Sequence, residues 1–300
     1  MGGTQLLKHK TFAILGGDLR QAHMANMLAA EERGYRITGM YLDKDVKLSR
    51  KIHRSDDIRL TLPQSDVIIF PLPMLDADGF VNTPLSDVRL EPTDCLDYIS
   101  NESIVLAGRV PPELARRFQE HGVTIEDYLE REEFAVLNAV PTAEGALEIA
   151  LQEMPITLRG ATCIVTGFGR VAKVLVRLLS AFGAQVKVVA RKYGDLAWVS
   201  ACGCEPVHIS EMMEHLAGAD VLFNTVPAVI LDEDKLKKLG RDCLVIDLAS
   251  KPGGVDFDTA RNLGLKTIWA LSLPGKVAPI TAGEITLRTV NNILQEKGAL

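Results

Sequence analysis

The feature that most restricts this chain is Gly167-Phe168-Gly169-Arg170-Val171-Ala172, a G-x-G-x-x-A pattern. It follows directly on a strand-like run, Ala161-Thr162-Cys163-Ile164-Val165-Thr166, and opens a helical pattern. In that pattern Val171, Val174, Leu175, Leu178, Leu179 and Phe182 share one face, Gly183 closes the helix, and residues 185–190 read as the next strand. In a strand–turn–helix setting each small residue has a physical reason. Gly167 permits the tight turn, Gly169 lets a pyrophosphate approach the backbone, and Ala172 lets the helix pack closely on the strand. The amides and positive dipole end of the helix then favour phosphate. Gly167, Phe168, Gly169, Arg170 and Val171 form the candidate dinucleotide site.

The end of the following strand selects between dinucleotides. An acid is common there for the ribose 2′-hydroxyl of NAD. This chain has Arg191 and Lys192, with Arg191 at 191 − 167 = 24 residues from the first glycine. Two cations and no acid favour NADP over NAD, and Arg191 could also stack on the adenine. Three later loops fall at carboxyl ends of strand-like runs, where open α/β sheets bind ligands. They contain Thr225-Val226-Pro227, Asp247 through Gly254, and Pro274-Gly275. Thr225, Val226, Pro227, Asp247, Ala249, Pro274 and Gly275 are expected on the cofactor. Ser250, Lys251, Gly253 and Gly254 are expected beside a substrate.

The first half repeats the alternation of short apolar runs and helical patterns. Strands are expected at residues 11–15, 35–42, 66–70, 103–107 and 123–126, with helices at 19–33 and 111–121. Residues 76–93, rich in Asp, Pro, Asn and Gly, read as a loop. A helix with Thr142 as its N-cap is expected to run to about residue 153 and bridge two domains. The expected fold class is α/β: two Rossmann-like open parallel-sheet domains with an active-site cleft between them. The first, substrate-binding domain takes residues 1–140, with a C-terminal helix at 283–298 packing back on it. The NADP-binding domain takes residues 141–282.

Composition narrows the partners. With 47% hydrophobic and 24% charged residues the chain has the balance of a soluble globular protein. A net charge of −6 and the lack of a basic run exclude a nucleic-acid footprint. No signal-like start is present, and the apolar run at residues 67–75 is too short to span a bilayer, so no membrane partner and a cytoplasmic location are expected. Five scattered cysteines read as free thiols, with Cys163 and Cys243 in apolar strand-like runs. The histidines at positions 9, 23, 53, 121, 208 and 215 show no metal spacing, and no metal is expected.

Several ordered segments together resemble one family. They are Ile14-Leu15-Gly16-Gly17-Asp18-Leu19-Arg20-Gln21, Asn138 to Gly145, the glycine loop, Ala190-Arg191, Asn224 to Pro227, Asp247 to Gly254, and Leu273 to Gly283. Over nearly its whole length the chain resembles the A subunit of dipicolinate synthase. The most specific matches are Leu248 to Gly254 and Leu273 to Pro279. One departure is Lys251, where a family member can carry Arg; the charge is kept and the bidentate fork is lost. The resemblance implies conversion of dihydrodipicolinate to dipicolinate in the mother cell of a spore-forming bacterium, together with the separate, flavoprotein-like B subunit of dipicolinate synthase. It also implies a second domain like that of D-2-hydroxyacid dehydrogenases.

A dicarboxylate substrate needs cationic or amide partners. Lys251 is the first candidate, Arg20 with Asp18 after the first Gly-Gly turn the second, and Arg109 the third. Glu132 and Glu133 are the candidate bases, beside Glu144. A homo-oligomer is expected. Two other readings stand beside the oxidoreductase: an NADP-binding regulatory protein whose partner does the chemistry, and a D-2-hydroxyacid dehydrogenase. The latter needs a late histidine, and the chain has none after His215.

Overall fold

A computed structural model of the chain describes residues 10–300. The histidine at position 9 lies outside the described residues. The chain separates into two compact units, one running to Ala135 and taking in Ala278–Leu300, the other Val136–Val277.

The first unit holds β1 (Thr11–Leu15), α1 (Leu19–Ala30), β2 (Arg36–Met40), β3 (Ile52–Arg54), α2 (Ile58–Thr61), β4 (Val67–Ile69), β5 (Ile104–Ala107), α3 (Pro112–Glu120) and β6 (Ile125–Asp127). Helix α4 (Glu132–Glu153) begins there and continues into the second unit. The second unit then adds β7 (Thr162–Thr166), α5 (Arg170–Ala181), β8 (Gln185–Ala190), α6 (Tyr193–Ala201), β9 (Glu205–His208), α7 (Met212–His215) and β10 (Val221–Asn224). It ends with α8 (Glu233–Leu236), β11 (Leu244–Asp247), α9 (Phe257–Asn262), β12 (Lys266–Trp269) and α10 (Leu273–Val277), before α11 (Pro279–Glu296) returns to the first unit.

Each unit is one six-stranded sheet, ordered β3-β2-β1-β4-β5-β6 and β9-β8-β7-β10-β11-β12. Every pairing is parallel. The two orders are the same doubly wound plan, with the reversal of strand order at β1/β4 and at β7/β10. A parallel sheet needs cover on both faces, so its central strands are largely apolar up to their last residues. In the second unit alternate residues feed two separate cores: Cys163, Val165, Val188 and Phe223 one, Ile164, Val189 and Leu222 the other. Cys95, Cys163 and Cys243 are buried thiols, and burial pushes each up to about 12.

Several elements differ from expectation. Strands β3 and β9 were not expected; both are sheet edges, and β9 exposes Glu205 and Pro206 as edge strands do. Helix α4 does not start at Thr142. It is a continuous 22-residue helix through Pro141, with Glu132 and Glu133 in its first turn. Thr142 is no cap; its hydroxyl donates to the Asn138 carbonyl one turn back, at 2.7 Å. Residues 274–277 form helix α10 rather than a loop, because Leu273 and Val277 pack against α4 where Gly145 leaves room. The buried face of α5 is Ala172, Leu175, Val176 and Leu179, whereas Phe182 is exposed. Helix α4 is long and apolar enough to cross a membrane by length and composition, yet Ala143, Ala146, Leu147 and Ala150 lie in the core of the second unit.

Within the first unit α11 lies against α1 at Gly283, where a Cβ would stand 2.6 Å from the Arg20 carbonyl and 3.1 Å from the Met24 amide nitrogen. Ion pairs close the far end of the helix: Arg131 to Glu296 at 2.5 Å and Lys297 to Glu126 at 2.9 Å. Gly283→Val is expected to destabilise the protein by about 2 kcal/mol through overpacking. Urea unfolding checks this; an unchanged midpoint would show that the helix contact yields without cost.

Candidate functional site

The glycine loop begins where β7 ends. Gly167 has φ +87°, and a Cβ there would lie 2.6 Å from the Thr225 hydroxyl, which donates to the Thr166 carbonyl at 2.7 Å. Both conformation and space exclude a side chain. Gly169 differs: its φ of −81° suits any residue, and no atom lies within 4 Å of its Cβ position. Nothing in the protein itself requires a glycine there. Gly169 is the N-cap of the 12-residue α5 and offers no side chain to that helix end. A cradle that a Cβ would enter, beside helix-end amides without a side-chain cap, fits a pyrophosphate. The Phe168 ring is instead a core side chain, with the Lys173 ammonium 5.5 Å from its centroid, so only its backbone borders the cradle. Arg170 is exposed and Val171 half-buried.

Arg191 and Lys192 are exposed at the end of β8, and Lys192 is the N-cap of α6. Tyr193 stacks on His208 at 5.3 Å between centroids, and His208 stands in register with Ala190. The carboxyl end of the second strand is therefore cationic and aromatic.

The other loops are organised by a row of polar residues. Thr166, Asn224 and Asp247 are the last residues of the adjacent strands β7, β10 and β11 and stand in register. All three are fully buried. The Thr166 hydroxyl donates to Asn224 Oδ1 at 2.6 Å, and Asn224 Nδ2 donates to Asp247 Oδ1 at 2.7 Å. Asn224 also donates to the Val226 carbonyl at 3.0 Å and accepts from the Val226 amide at 3.1 Å. Asp247 further accepts from the amides of Ala249 at 3.0 Å and Gly254 at 2.8 Å.

Three of the expected cofactor contacts, Asp247, Ala249 and Pro274, have buried side chains. The Asp247 carboxylate has no exposed surface and its oxygens are occupied by Asn224 and two loop amides. The Ala249 side chain is buried, and its carbonyl accepts from the Trp269 indole at 2.9 Å. Pro274 is buried in α10, while Gly275 is half-buried. Pro227, Ser250 and Lys251 are exposed, Thr225 and Val226 half-buried, and Gly253 and Gly254 buried. The roles of Asn224 and Thr166 were missed. The signal available was a polar residue closing each apolar run.

In the first unit Asp18 caps α1 and binds Arg20. The Arg20 Nε and Nη2 donate to both Asp18 oxygens at 2.8 to 3.0 Å, and Nη2 donates to the Leu72 carbonyl at 2.6 Å. Arg20 is thus 13% exposed and already partnered by a carboxylate. These groups lie at the β1/β4 reversal point, beside the buried Tyr128, whose phenol burial pushes far above its ordinary value. Arg109 is exposed with φ +59°, a backbone held by Asp127, which accepts from the amides of Arg109 at 3.0 Å and Val110 at 2.7 Å. Glu133 is a poor base. Its own backbone amide and then Arg131, at 2.9 Å, hold its carboxyl below the ordinary range. Glu132 is exposed in the same helical turn.

Comparison with known proteins adds identity to this geometry. Residues 11–129 match the family model for the N-terminal domain of the dipicolinate synthase A subunit. Residues 136–252 match the NAD binding domain of D-isomer specific 2-hydroxyacid dehydrogenases. The dipicolinate synthase A subunit of Bacillus subtilis (strain 168) is 32% identical over 286 residues, covering 95% of each chain. A crystal structure of the dipicolinate synthase A subunit from Bacillus halodurans superposes with a TM-score of 0.88 at 32% identity, covering 95% of this chain and 97% of that one. One from Bacillus subtilis gives 0.88 at 31%, covering 98% of both.

The two glycines of the loop separate folding from binding. Gly169→Ala is expected to leave stability within about 1 kcal/mol but weaken nicotinamide dinucleotide binding about tenfold or more. Gly167→Ala is expected to lower stability as well, because its φ is positive. Thermal unfolding and fluorescence titration with NADPH check both, and equal stability loss at the two positions would contradict the assignment.

Proposed function

This chain belongs to the family of dipicolinate synthase A subunits, and from that premise we propose that it is the NADP-dependent oxidoreductase component that converts dihydrodipicolinate to dipicolinate during sporulation. The observation that carries the reading is the open Gly169 cradle on α5, with Arg191 and Lys192 at the end of the next strand. The two cations, where an acid would select NAD, support NADP. The B subunit of dipicolinate synthase as partner, a homo-oligomeric state and the cytoplasm of the mother cell belong to the same proposal.

The reaction takes a hydride and a proton from a dihydropyridine dicarboxylate and leaves an aromatic pyridine. Held at the Gly169 cradle and Arg191, oxidised NADP would supply the hydride acceptor. Aromatisation supplies driving force, so the residues of this chain mainly orient the substrate. Exposed Lys251, with Ser250 on the same loop, provides charge and hydrogen-bonding capacity for a carboxylate; the buried Gly253 and Gly254 shape that loop. Arg20 with Asp18, and exposed Arg109, are the candidate anion-binding groups of the first unit. Because Asp18 already neutralises Arg20, we rank Lys251 first. Of the paired acids, Glu133 is held in its ionised form by its own backbone amide and by Arg131, which lowers its basicity; Glu132 stays a candidate base on its position alone. The D-2-hydroxyacid dehydrogenase reading lacks its histidine, as no histidine follows His215.

The decisive measurement is absorbance of dipicolinate formed from dihydrodipicolinate, with and without NADP and the B subunit. Cofactor-dependent product is expected, and none from the reconstituted pair would refute the proposal. Product formed by this chain alone separates an enzyme from a regulatory protein. Lys251→Ala is expected to raise the substrate KM about tenfold. Arg191→Asp is expected to weaken NADPH about tenfold more than NADH; equal loss for both would remove the basis for preferring NADP.

A further inference from the structure

The buried row at the strand ends has a geometry that loop positioning explains better than strand pairing does. Asn224 and Asp247 sit side by side on parallel strands whose backbones already pair fully. Their side chains reach past the sheet edge into two loops. Asn224 takes both backbone groups of Val226, and Asp247 takes the amides of Ala249 and Gly254. The two loops are then joined to each other: the Gly254 carbonyl accepts from the amides of Ile230 at 3.1 Å and Leu231 at 3.0 Å. Gly254 has no room for a side chain, since a Cβ would lie 2.1 Å from Asn224 Nδ2 and 2.6 Å from the Val226 carbonyl. Gly253, with φ +85°, would place a Cβ 2.9 Å from Asp247 Oδ2. The loops at residues 225–230 and 249–254 therefore form one hydrogen-bonded body, hung from the Asn224–Asp247 pair.

In this strand order the dinucleotide crosses the sheet at the β7/β10 reversal. Its adenosine half lies toward β8, where Arg191 stands, which leaves β10 and β11 for the nicotinamide half. A buried carboxylate without partners would be costly. Here three donors compensate it, and two of them are loop amides. Loss of the Asn224 side chain would free the loop at residues 225–230, and loss of Asp247 the loop at 249–254, while Arg191 at the end of β8 keeps its surroundings.

We infer that Asn224 and Asp247 are positioning residues that set the nicotinamide side of the site, including the loop bearing Ser250 and Lys251, without touching ligand themselves. The inference rests on the dinucleotide reading above. Its test compares a whole cofactor with an adenosine half. NADPH, 2′,5′-ADP and ADP are titrated against the wild type, Asp247→Asn and the milder Asn224→Ser, which leaves both Asp247–amide bonds in place. The expected result is about a tenfold loss of NADPH affinity in Asp247→Asn and a smaller loss in Asn224→Ser. Adenosine-half binding should stay within about twofold in both. Where dipicolinate formation is measurable, kcat should fall more than the substrate KM rises. Equal weakening of NADPH and the half-cofactors would make the pair a general stability element, and unchanged NADPH affinity in both variants would show that the loops hold themselves. Either result overturns the inference. A wild type that binds none of the three probes overturns the cofactor reading and this inference together. If Asp247→Asn does not fold, Asn224→Ser alone decides.

Discussion

A parallel sheet covered by helices on both faces leaves only its strand ends for polar chemistry. Both units obey this constraint, and it orders everything else in them. Side chains along the central strands are consumed by two apolar cores, so any group that meets a ligand must stand at or beyond the last residue of a strand. Gly167, Arg191, Thr225 and Ser250 all do so. In the first unit Asp18, Arg20 and Arg109 follow β1 and β5 in the same manner.

The strand ends also have to be held. Loops that leave a sheet lose the regular backbone pairing that fixed the strands, and their orphaned amides need partners. The chain meets this need with short polar side chains placed where the apolar run stops. Asp127 grips the loop after β5 through two amides, Asp18 caps the helix after β1, and Asn224 with Asp247 binds the loops after β10 and β11. One device thus recurs in both units: an acid or amide at the strand end serves backbone amides before it can serve a ligand. Residues of this kind are easily mistaken for ligand contacts, and Asp247 shows why. Position along the strand suggests a ligand contact, while burial and three donors show a scaffold role.

Cationic residues divide by the same logic. Arg20 and Arg131 are engaged by carboxylates of the first unit, whereas Arg191, Lys192 and Lys251 stand exposed at strand ends of the second. An arginine already paired with an acid offers a ligand less net charge than an unshielded lysine, although it is better fixed in direction. The proposed division of labour between Lys251 and Arg20 follows from that difference.

The amino-acid sequence by itself determined the two α/β units, the glycine loop and the cationic end of the following strand. Those depend on local patterns: apolar runs, helical periodicity and a turn that only glycine can make at Gly167. Tertiary structure alone decided the rest. Strands β3 and β9 are short polar edges with little pattern to read. Pro141 looks like a helix break, yet α4 runs through it because the core of the second unit holds residues 143–150 in place. Pro274 and the Phe168 ring were expected near a ligand and are core groups, Pro274 because α10 packs on Gly145 and Phe168 because its ring joins the apolar core beneath α5. The Thr166–Asn224–Asp247 row could not be seen along the chain at all. Its members are 58 residues and 23 residues apart in sequence, and only the register of three parallel strands brings them side by side.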